Sequence, residues 1–485
     1  MKNLKEVRLM SERKEIKIDK ADLDRQKDIM LRLKENNSME YQKNGKHKRY
    51  SVITLGCQQN VSDSEKIMGM LDEMGYQKTE ERAEADVVVI NTCCVRENAE
   101  LKLFGNIGAF KQLKIDNPAL LLCVCGCMME QEHAVATIKK KYKHVDLVFG
   151  THNLYRFPEL IERSMNEKYT LIDIMNTEGF IVEDIPVRRE DKFKAWVTIM
   201  YGCNNFCSYC IVPHVRGRER SRLPEDIINE IKHLAVGGCK EITLLGQNVN
   251  SYGKDLKLEM DFADLIKLVN EIEGIERIRF MTSHPKDISD KLIQTMSECK
   301  KVCEQLHLPF QAGNNKVLKA MNRKYTKEEY LEKIDKAKKI LPGVAISTDV
   351  IVGFPGETDE EFEETLDVIS KVGFDQTFMF IYSKRTGTPA AEMENQISED
   401  QKHKNFEKLM KLQSGISKKA NDHYLNKIVE VLVEGPSKND ASKYTGRSRT
   451  GKVVNFSGQG DLIGQLVNVK ITEVFSWFLN GEMEA

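Results

Sequence analysis

Residues 195–210 read Ala195-Trp-Val-Thr-Ile-Met-Tyr201-Gly-Cys203-Asn-Asn-Phe-Cys207-Ser-Tyr-Cys210. The first seven are apolar, β-branched or aromatic and predict a strand; three cysteines follow at once in a polar loop. In parallel β/α folds, loops at the C-terminal ends of strands build the active site. Three thiolates there can hold three irons of a [4Fe–4S] cluster and leave the fourth open to a chelating small molecule. A structural zinc held by Cys203, Cys207, Cys210 and His214 is the competing reading. It has no need of a strand mouth, and it leaves Tyr209, just before the third cysteine, without a role.

Working outward, further strands are expected at Glu241–Leu245, Arg277–Met281, Gln305–Leu308, Ala345–Val352 and Asp375–Tyr382. Helical patterns intervene at Pro224–Val236, Phe262–Ile272, Tyr325–Ile340 and Glu360–Val372. About six β/α units fall short of the eight in a closed barrel, so residues 189–420 are expected to form a partial (β/α)6 barrel. Upstream, apolar runs at Ser51–Leu55, Asp86–Ile90, Leu120–Val124 and Val145–Phe149 alternate with helical patterns such as Asp63–Met74. This predicts an open parallel α/β sheet over 49–166. A charged, turn-rich stretch from Asn166 to Asp191 divides the two. Short β-rich runs at Ile428–Val433, Lys452–Phe456 and Leu466–Val474 predict a small all-β, OB-like domain over 422–485. The chain reads as an α/β multidomain protein.

Residues 1–49 hold 15 Lys/Arg against 9 Asp/Glu with few aromatics. The first 48 are expected to be a charged, partly helical extension, loosely tied to the rest. No apolar run reaches the roughly 18 residues of a membrane span, and the N-terminus is charged, so a cytoplasmic location with no membrane contact is expected. The twelve cysteines then sit in a reducing compartment, where metal binding or chemistry is favoured over disulfides. The formal net charge of −1 leaves any nucleic-acid contact to local patches.

A second triad stands in the first domain. Cys57, Cys93 and Cys127 each follow a strand, in Thr-Leu-Gly-Cys57, Asn-Thr-Cys93-Cys94 and Cys125-Gly-Cys127. Parallel strands bring such residues to one edge of the sheet, where a second cluster with an open iron could be held. Cys123, inside a strand, and Cys239, Cys299 and Cys303 read as packed or simply reduced thiols. Spacing alone excludes neither Cys94 nor Cys125 as a ligand.

The Cys203–Cys210 motif resembles CxxxCxφC, with φ aromatic, the cluster signature of the radical S-adenosylmethionine superfamily. Together with the first triad, with Leu244-Leu-Gly-Gln-Asn-Val-Asn-Ser-Tyr-Gly253, His307-Leu-Pro-Phe-Gln-Ala-Gly313 and Ser347-Thr-Asp-Val-Ile-Val-Gly-Phe-Pro-Gly-Glu-Thr358, and with a tail similar to a TRAM domain, it resembles the methylthiotransferases over residues 50–485. The resemblance implies two [4Fe–4S] clusters, one on Cys57, Cys93 and Cys127 and one on Cys203, Cys207 and Cys210. It also implies S-adenosylmethionine as both methyl donor and radical source. The Gly-Gln-Asn-Val-Asn stretch, with Gln58 and Asn60, resembles the MiaB-type branch, which modifies carbon 2 of N6-isopentenyladenosine beside the anticodon of tRNA. Other branches act on threonylcarbamoyl-adenosine or on a ribosomal-protein aspartate. The implied partners are the tRNA anticodon loop and an electron donor such as flavodoxin or ferredoxin, with the protein acting as a monomer.

Four residues, Gly246, Gln247, Ser347 and Asp349, sit where a barrel would place contacts to cofactor ribose or adenine. Arg216, Arg218, Arg220 and Arg222 alternate just after the cluster loop and suit either a solvated face or contact with phosphate or a cofactor carboxylate. In the tail, Lys443, Tyr444, Arg447 and Arg449 form a candidate RNA patch: cations for phosphate, an aromatic for a base.

Overall fold

The computed structural model describes residues 18–94, 97–175, 177, 179–438 and 440–484 (backbone alone for 97–99). The chain divides into two compact units, one running to Arg188 and including Val215–Gly217, the other comprising Arg189–His214 and everything from Arg218 onward. Among the described residues no helix is long and apolar enough to cross a membrane.

The first unit is an open sheet of strands β1 (Arg49–Leu55), β2 (Gln77–Lys78), β3 (Val87–Thr92), β4 (Leu121–Gly126), β5 (Leu147–Phe149) and β6 (Leu171–Asp173). All neighbours pair in parallel, in the order β2-β1-β3-β4-β5-β6. β3 is buried along its whole length, as a parallel strand covered on both faces must be. The order reverses between β1 and β3. A doubly wound sheet opens its ligand crevice at that switch point, beyond the C-terminal ends of the strands.

Helix α1 (Lys20–Asn44) corrects the expectation of a loose extension. Asp19 caps it by accepting from the Ala21 amide, and Gly45 ends it in the left-handed region at φ 68°. Gln26, Ile29, Met30 and Leu33, spaced for one helical face, are buried. Arg25 pairs with Glu159 at 3.0 Å and Arg32 with Glu162 at 2.9 Å. Three buried apolar side chains outweigh such surface pairs, at roughly 1.5–3 kcal/mol each against less than about 1. The stripe is narrow and embedded in charge, which hides it in the sequence. Residues 1–17 lie outside the described residues.

Next along the chain, α2 (Gln58–Glu73), α3 (Glu97–Asp116), α4 (Glu132–Lys141) and α5 (Phe157–Asn166) alternate with the strands. A core of Tyr50, Ile67, Leu71, Val87, Val89, Leu147, Phe149, Phe157 and Leu160 forms with α1 added.

The second unit begins with β7 (Lys194–Thr198), the short antiparallel pair β8 (Met200–Tyr201) and β9 (Arg220–Ser221), then β10 (Glu241–Leu245) and β11 (Arg277–Phe280). β12 (Gln305–His307), β13 (Ala345–Val352) and β14 (Gln376–Ile381) follow. β7, β10 and β11 form one parallel sheet and β12, β13 and β14 another; a parallel bridge from Ile278 to Val302 joins the two runs. Six parallel strands make the expected partial barrel.

The tail is a closed barrel of β15 (Ile428–Pro436), β16 (Tyr444–Ser448), β17 (Val453–Ser457), β18 (Leu466–Val474) and β19 (Phe478–Met483). It docks at the N-terminal ends of the half-barrel strands, the end away from the cysteine loop. Arg277, fully buried at the start of β11, donates to Glu430 at 2.7 and 3.0 Å and to the Arg447 carbonyl at 2.8 Å. Lys194 meets Glu434 at 2.8 Å and Lys452 meets Asp375 at 2.7 Å. Arg277→Met is expected to loosen the small barrel, because the hydrogen bonds to Glu430 and to the Arg447 carbonyl are lost, while Glu241 keeps Arg279 at 3.0 Å. Because the Glu430 left behind is partly exposed, the cost is that of lost charge-assisted hydrogen bonds, about 1.5–3 kcal/mol. Lower melting temperature and faster proteolysis near residue 425 would be measured; an unchanged melt would refute the tether.

Two candidate cysteine-triad centres

In the first unit, Cys57, Cys93 and Cys127 follow β1, β3 and β4, on either side of the switch point. Two glycines permit the close approach. A Cβ at Gly56 would stand 2.8 Å from the Cys93 Cβ, and one at Gly126 (φ 101°) 2.3 Å from the Thr92 carbonyl oxygen. Asn60, fully buried, ties the loops together: its Nδ2 donates to Asn91 Oδ1 (3.0 Å) and Thr92 O (3.2 Å), and its Oδ1 accepts from the Cys57 thiol (3.3 Å).

A hydrogen bond from the Cys93 thiol lowers the Cys57 pKa to about 6 against the opposing effect of burial, helped by Arg216 and by the Asn60 and Gln59 amides. Cys127 is likewise lowered, first by a hydrogen bond from Cys94 and then by Arg216. Cys94 is correspondingly raised by that hydrogen bond and by burial. Cys125 is buried among core side chains with Cys123, and burial raises both thiols.

Arg216, not linked to the first triad by the sequence, has its Nε 3.0 Å from Cys127 Sγ and its Nη2 2.7 Å from Asp63 Oδ2. Of the two readings of the alternating arginines, the solvated face is not formed: Arg216, Arg220 and Arg222 are buried, and Arg218 lies over the Phe206 ring at 4.2 Å.

In the second unit, Cys203, Cys207 and Cys210 occupy the loop beyond β8. Cys207 and Cys210 line a cavity of about 360 Å³ with Phe206, His214, Gly387, Thr388, Pro389 and Glu392. Burial pushes the Cys203 thiol to about 12, and burial with the neighbouring Cys207 does the same to Cys210. Arg323, also missed from sequence, is buried with Nη1 3.5 Å from Cys207 Sγ and 3.4 Å from the Tyr209 hydroxyl. Phe206, Thr282, Gln311 and Asn322 all hold positive φ in loops of this mouth. Such strain, about 1–3 kcal/mol each, is characteristic of functional sites.

Among the described residues, no three His, Cys, Asp or Glu side chains gather round a point that a single ion would occupy. His214 stands edge-on to Phe206 at 6.3 Å. A cubane cluster spreads three cysteines over three irons, so either triad fits it better than one zinc. A polar cofactor also has partners waiting at the mouth. Asn205 Nδ2, Asn248 Oδ1, Asn250 Nδ2, Ser283 Oγ and His284 Nε2 are buried without a hydrogen-bond partner among the described residues. Burial holds His284 neutral, its pKa lowered to about 2, and its Nδ1 accepts from the Lys286 amide, which leaves the proton on Nε2.

The other sequence candidates divide. Gln247 accepts from the Gly202 amide with its Oε1, bracing the residue before Cys203, and Gly246 packs on Met200. Ser347 and Asp349 share a face of β13 and meet His307, at 3.0 and 3.6 Å. In the tail, the basic stretch is strand β16, whose alternation splits it. Tyr444 packs on Phe456 and Arg447 faces outward beside Glu434. The Arg449 guanidinium is spent on Glu304 (2.8 Å) and the Val302 carbonyl (2.8 Å), so it is a docking residue. Lys443 keeps a half-exposed side chain near Asp440.

The differing thiol environments predict different reactivity in metal-free protein. Cys57 and Cys210 are both partly accessible, yet the Cys57 pKa is lowered to about 6 while burial raises that of Cys210 to about 12. Iodoacetamide at pH 7.5 is expected to label Cys57 well before Cys210, with the Cys57 rate falling as pH drops through about 6. Peptide mapping by mass spectrometry reads both; equal labelling would refute the assignment.

Residues 197–369 match the Radical SAM superfamily model, 49–150 the Uncharacterized protein family UPF0004, and 422–483 the TRAM domain. The chain is 56% identical to a tRNA-2-methylthio-N6-dimethylallyladenosine synthase of Acetivibrio thermocellus, covering 97% of this chain and 98% of the relative. An enzyme of the same name from Clostridioides difficile is 56% identical over 97% and 99%. A solved radical S-adenosylmethionine methyltransferase, TsrM of Kitasatospora setae, shares the fold at 12% identity, with a TM-score of 0.51 over 71% of this chain and 75% of that one. With that identity over nearly the full length and all three domain models in place, the chain belongs to the tRNA-2-methylthio-N6-dimethylallyladenosine synthase family of radical S-adenosylmethionine methylthiotransferases.

Proposed function

We infer that this enzyme places a methylthio group on carbon 2 of N6-isopentenyladenosine (N6-dimethylallyladenosine) beside the anticodon of tRNA. The observation that carries the reading is the gathering of one cysteine triad at the C-terminal strand ends of each unit, in a chain 56% identical to such synthases. When bound, two [4Fe–4S] clusters and S-adenosylmethionine supply the sulfur and methyl chemistry and the radical that removes hydrogen from carbon 2.

Cys57, Cys93 and Cys127 are the ligands at the first centre, and Cys203, Cys207 and Cys210 those at the second. The lowered pKa values of Cys57 and Cys127 favour the thiolates that iron requires, whereas Cys203 and Cys210 must shed protons on loading. Gln247 braces Gly202 beside Cys203, and Arg323 holds Cys207. The unpartnered amide, hydroxyl and imidazole groups of Asn205, Asn248, Asn250, Ser283 and His284 orient S-adenosylmethionine at the mouth. Reductive cleavage takes one electron from outside, from a small carrier of flavodoxin or ferredoxin type, and a tRNA substrate places the enzyme in the cytoplasm. In the tail, Lys443 and Arg447 are the residues of the original patch left facing solvent to meet phosphate.

Nucleoside mass spectrometry of tRNA from a deletion strain tests the reading. Loss of 2-methylthio-N6-isopentenyladenosine with accumulation of its unmethylthiolated precursor is expected. Loss of the threonylcarbamoyl derivative instead, or unaltered tRNA with an unmodified ribosomal-protein aspartate, would reassign the substrate.

A further inference from the structure

The structure assigns Arg216, with Asp63, as a positioning residue that holds the Cys127 thiolate and sets the charge around the first cluster. This rests on reading Cys57, Cys93 and Cys127 as ligands.

Although Arg216 follows Cys210 by six residues, Val215–Gly217 belong with the first unit. The Thr151 hydroxyl pins the segment by donating to the Val215 carbonyl at 3.1 Å. Arg216 is only 5% exposed. Its guanidinium divides between two anions: Nε faces Cys127 Sγ at 3.0 Å, and Nη2 faces Asp63 Oδ2 at 2.7 Å. Asp63, 5% exposed, also accepts from Gln59 Nε2 at 3.3 Å. A planar guanidinium forked in this way fixes its own orientation and, through Nε, the position of the sulfur.

A second buried arginine standing by a cysteine of the other triad, Arg323 beside Cys207, makes this a repeated arrangement. Three thiolates on an iron–sulfur core carry net negative charge, and hydrogen bonds to the sulfurs tune such a centre. A fixed cation in a buried site favours the reduced, more negative form, and the neighbouring carboxylate opposes it. Arg216 and Asp63 therefore move the potential of the first cluster in opposite directions, Arg216 upward and Asp63 downward.

The test uses the full chain with Cys203, Cys207 and Cys210 all replaced by Ala, reconstituted anaerobically so that only the first centre holds iron. The parent is expected to bind about four irons; if it binds none, the ligand reading itself fails, and the proposal with it. In that background, R216Q is expected to move the midpoint potential negative and alter the electron paramagnetic resonance spectrum. D63N is expected to move it positive, and R216K to fall between parent and R216Q. A parental potential and spectrum in R216Q, or R216K indistinguishable from R216Q, would overturn the proposal. Should R216Q hold no iron, R216K and D63N decide: shifts in opposite directions uphold it, and a shared direction or no shift overturns it.

Discussion

Replacing Cys203, Cys207 or Cys210 by Ala is expected to reduce 5′-deoxyadenosine formation to background and to lower the iron content from about eight to about four per chain. The reason is geometric. These thiols sit in one loop at the mouth of the half-barrel, and Cys207 and Cys210 line its cavity. Each supplies one iron with its protein ligand, so two cannot anchor what three hold. The buried cation beside Cys207, Arg323, is a donor without a lone pair and offers no substitute. Chromatographic measurement of 5′-deoxyadenosine with an iron assay reads the result. Wild-type cleavage by any one of the three variants would remove that cysteine from the site.

A different failure is expected from Cys57→Ala, Cys93→Ala or Cys127→Ala. Iron again falls to about four, but the second centre survives, so S-adenosylmethionine is still cleaved while methylthiolated tRNA disappears. Separation of the two outcomes follows from the separate placement of the triads, one beyond β1, β3 and β4 and one beyond β8. Cys94→Ala is the informative control. Its thiol bonds to Cys127, which with burial raises its pKa, whereas the pKa values of Cys57 and Cys127 are lowered. The Cys94 variant is expected to retain all its iron. Full product formation by the Cys57, Cys93 or Cys127 variant, with cleavage lost instead, would exchange the roles of the two centres.

Local pattern carried much of the fold. The strands Glu241–Leu245, Ala345–Val352 and Leu466–Val474 and the helix Pro224–Val236 lie where sequence pattern predicts them: the first two are short strands buried on nearly every residue, and the third strand and the helix each bury one regular face. Elements with a weak face were missed. Strand β16 reads Tyr-Thr-Gly-Arg-Ser, too polar to announce itself, so its residues read as a free basic patch. Helix α1 buries only four residues among many charges.

The cysteine spacing, strand–helix alternation and resemblance to a family were all legible in the sequence by itself, because each is a short-range regularity or a fixed motif. Tertiary structure alone decided that the sheet order reverses between β1 and β3, putting Cys57 and Cys93 at a switch point. It alone brought Arg216 to Cys127 and Asp63, 89 and 153 residues away along the chain, and spent Arg449 on Glu304. A buried cation is stable only beside its anions, and which anions those are is settled when distant segments pack, not by neighbours in the sequence.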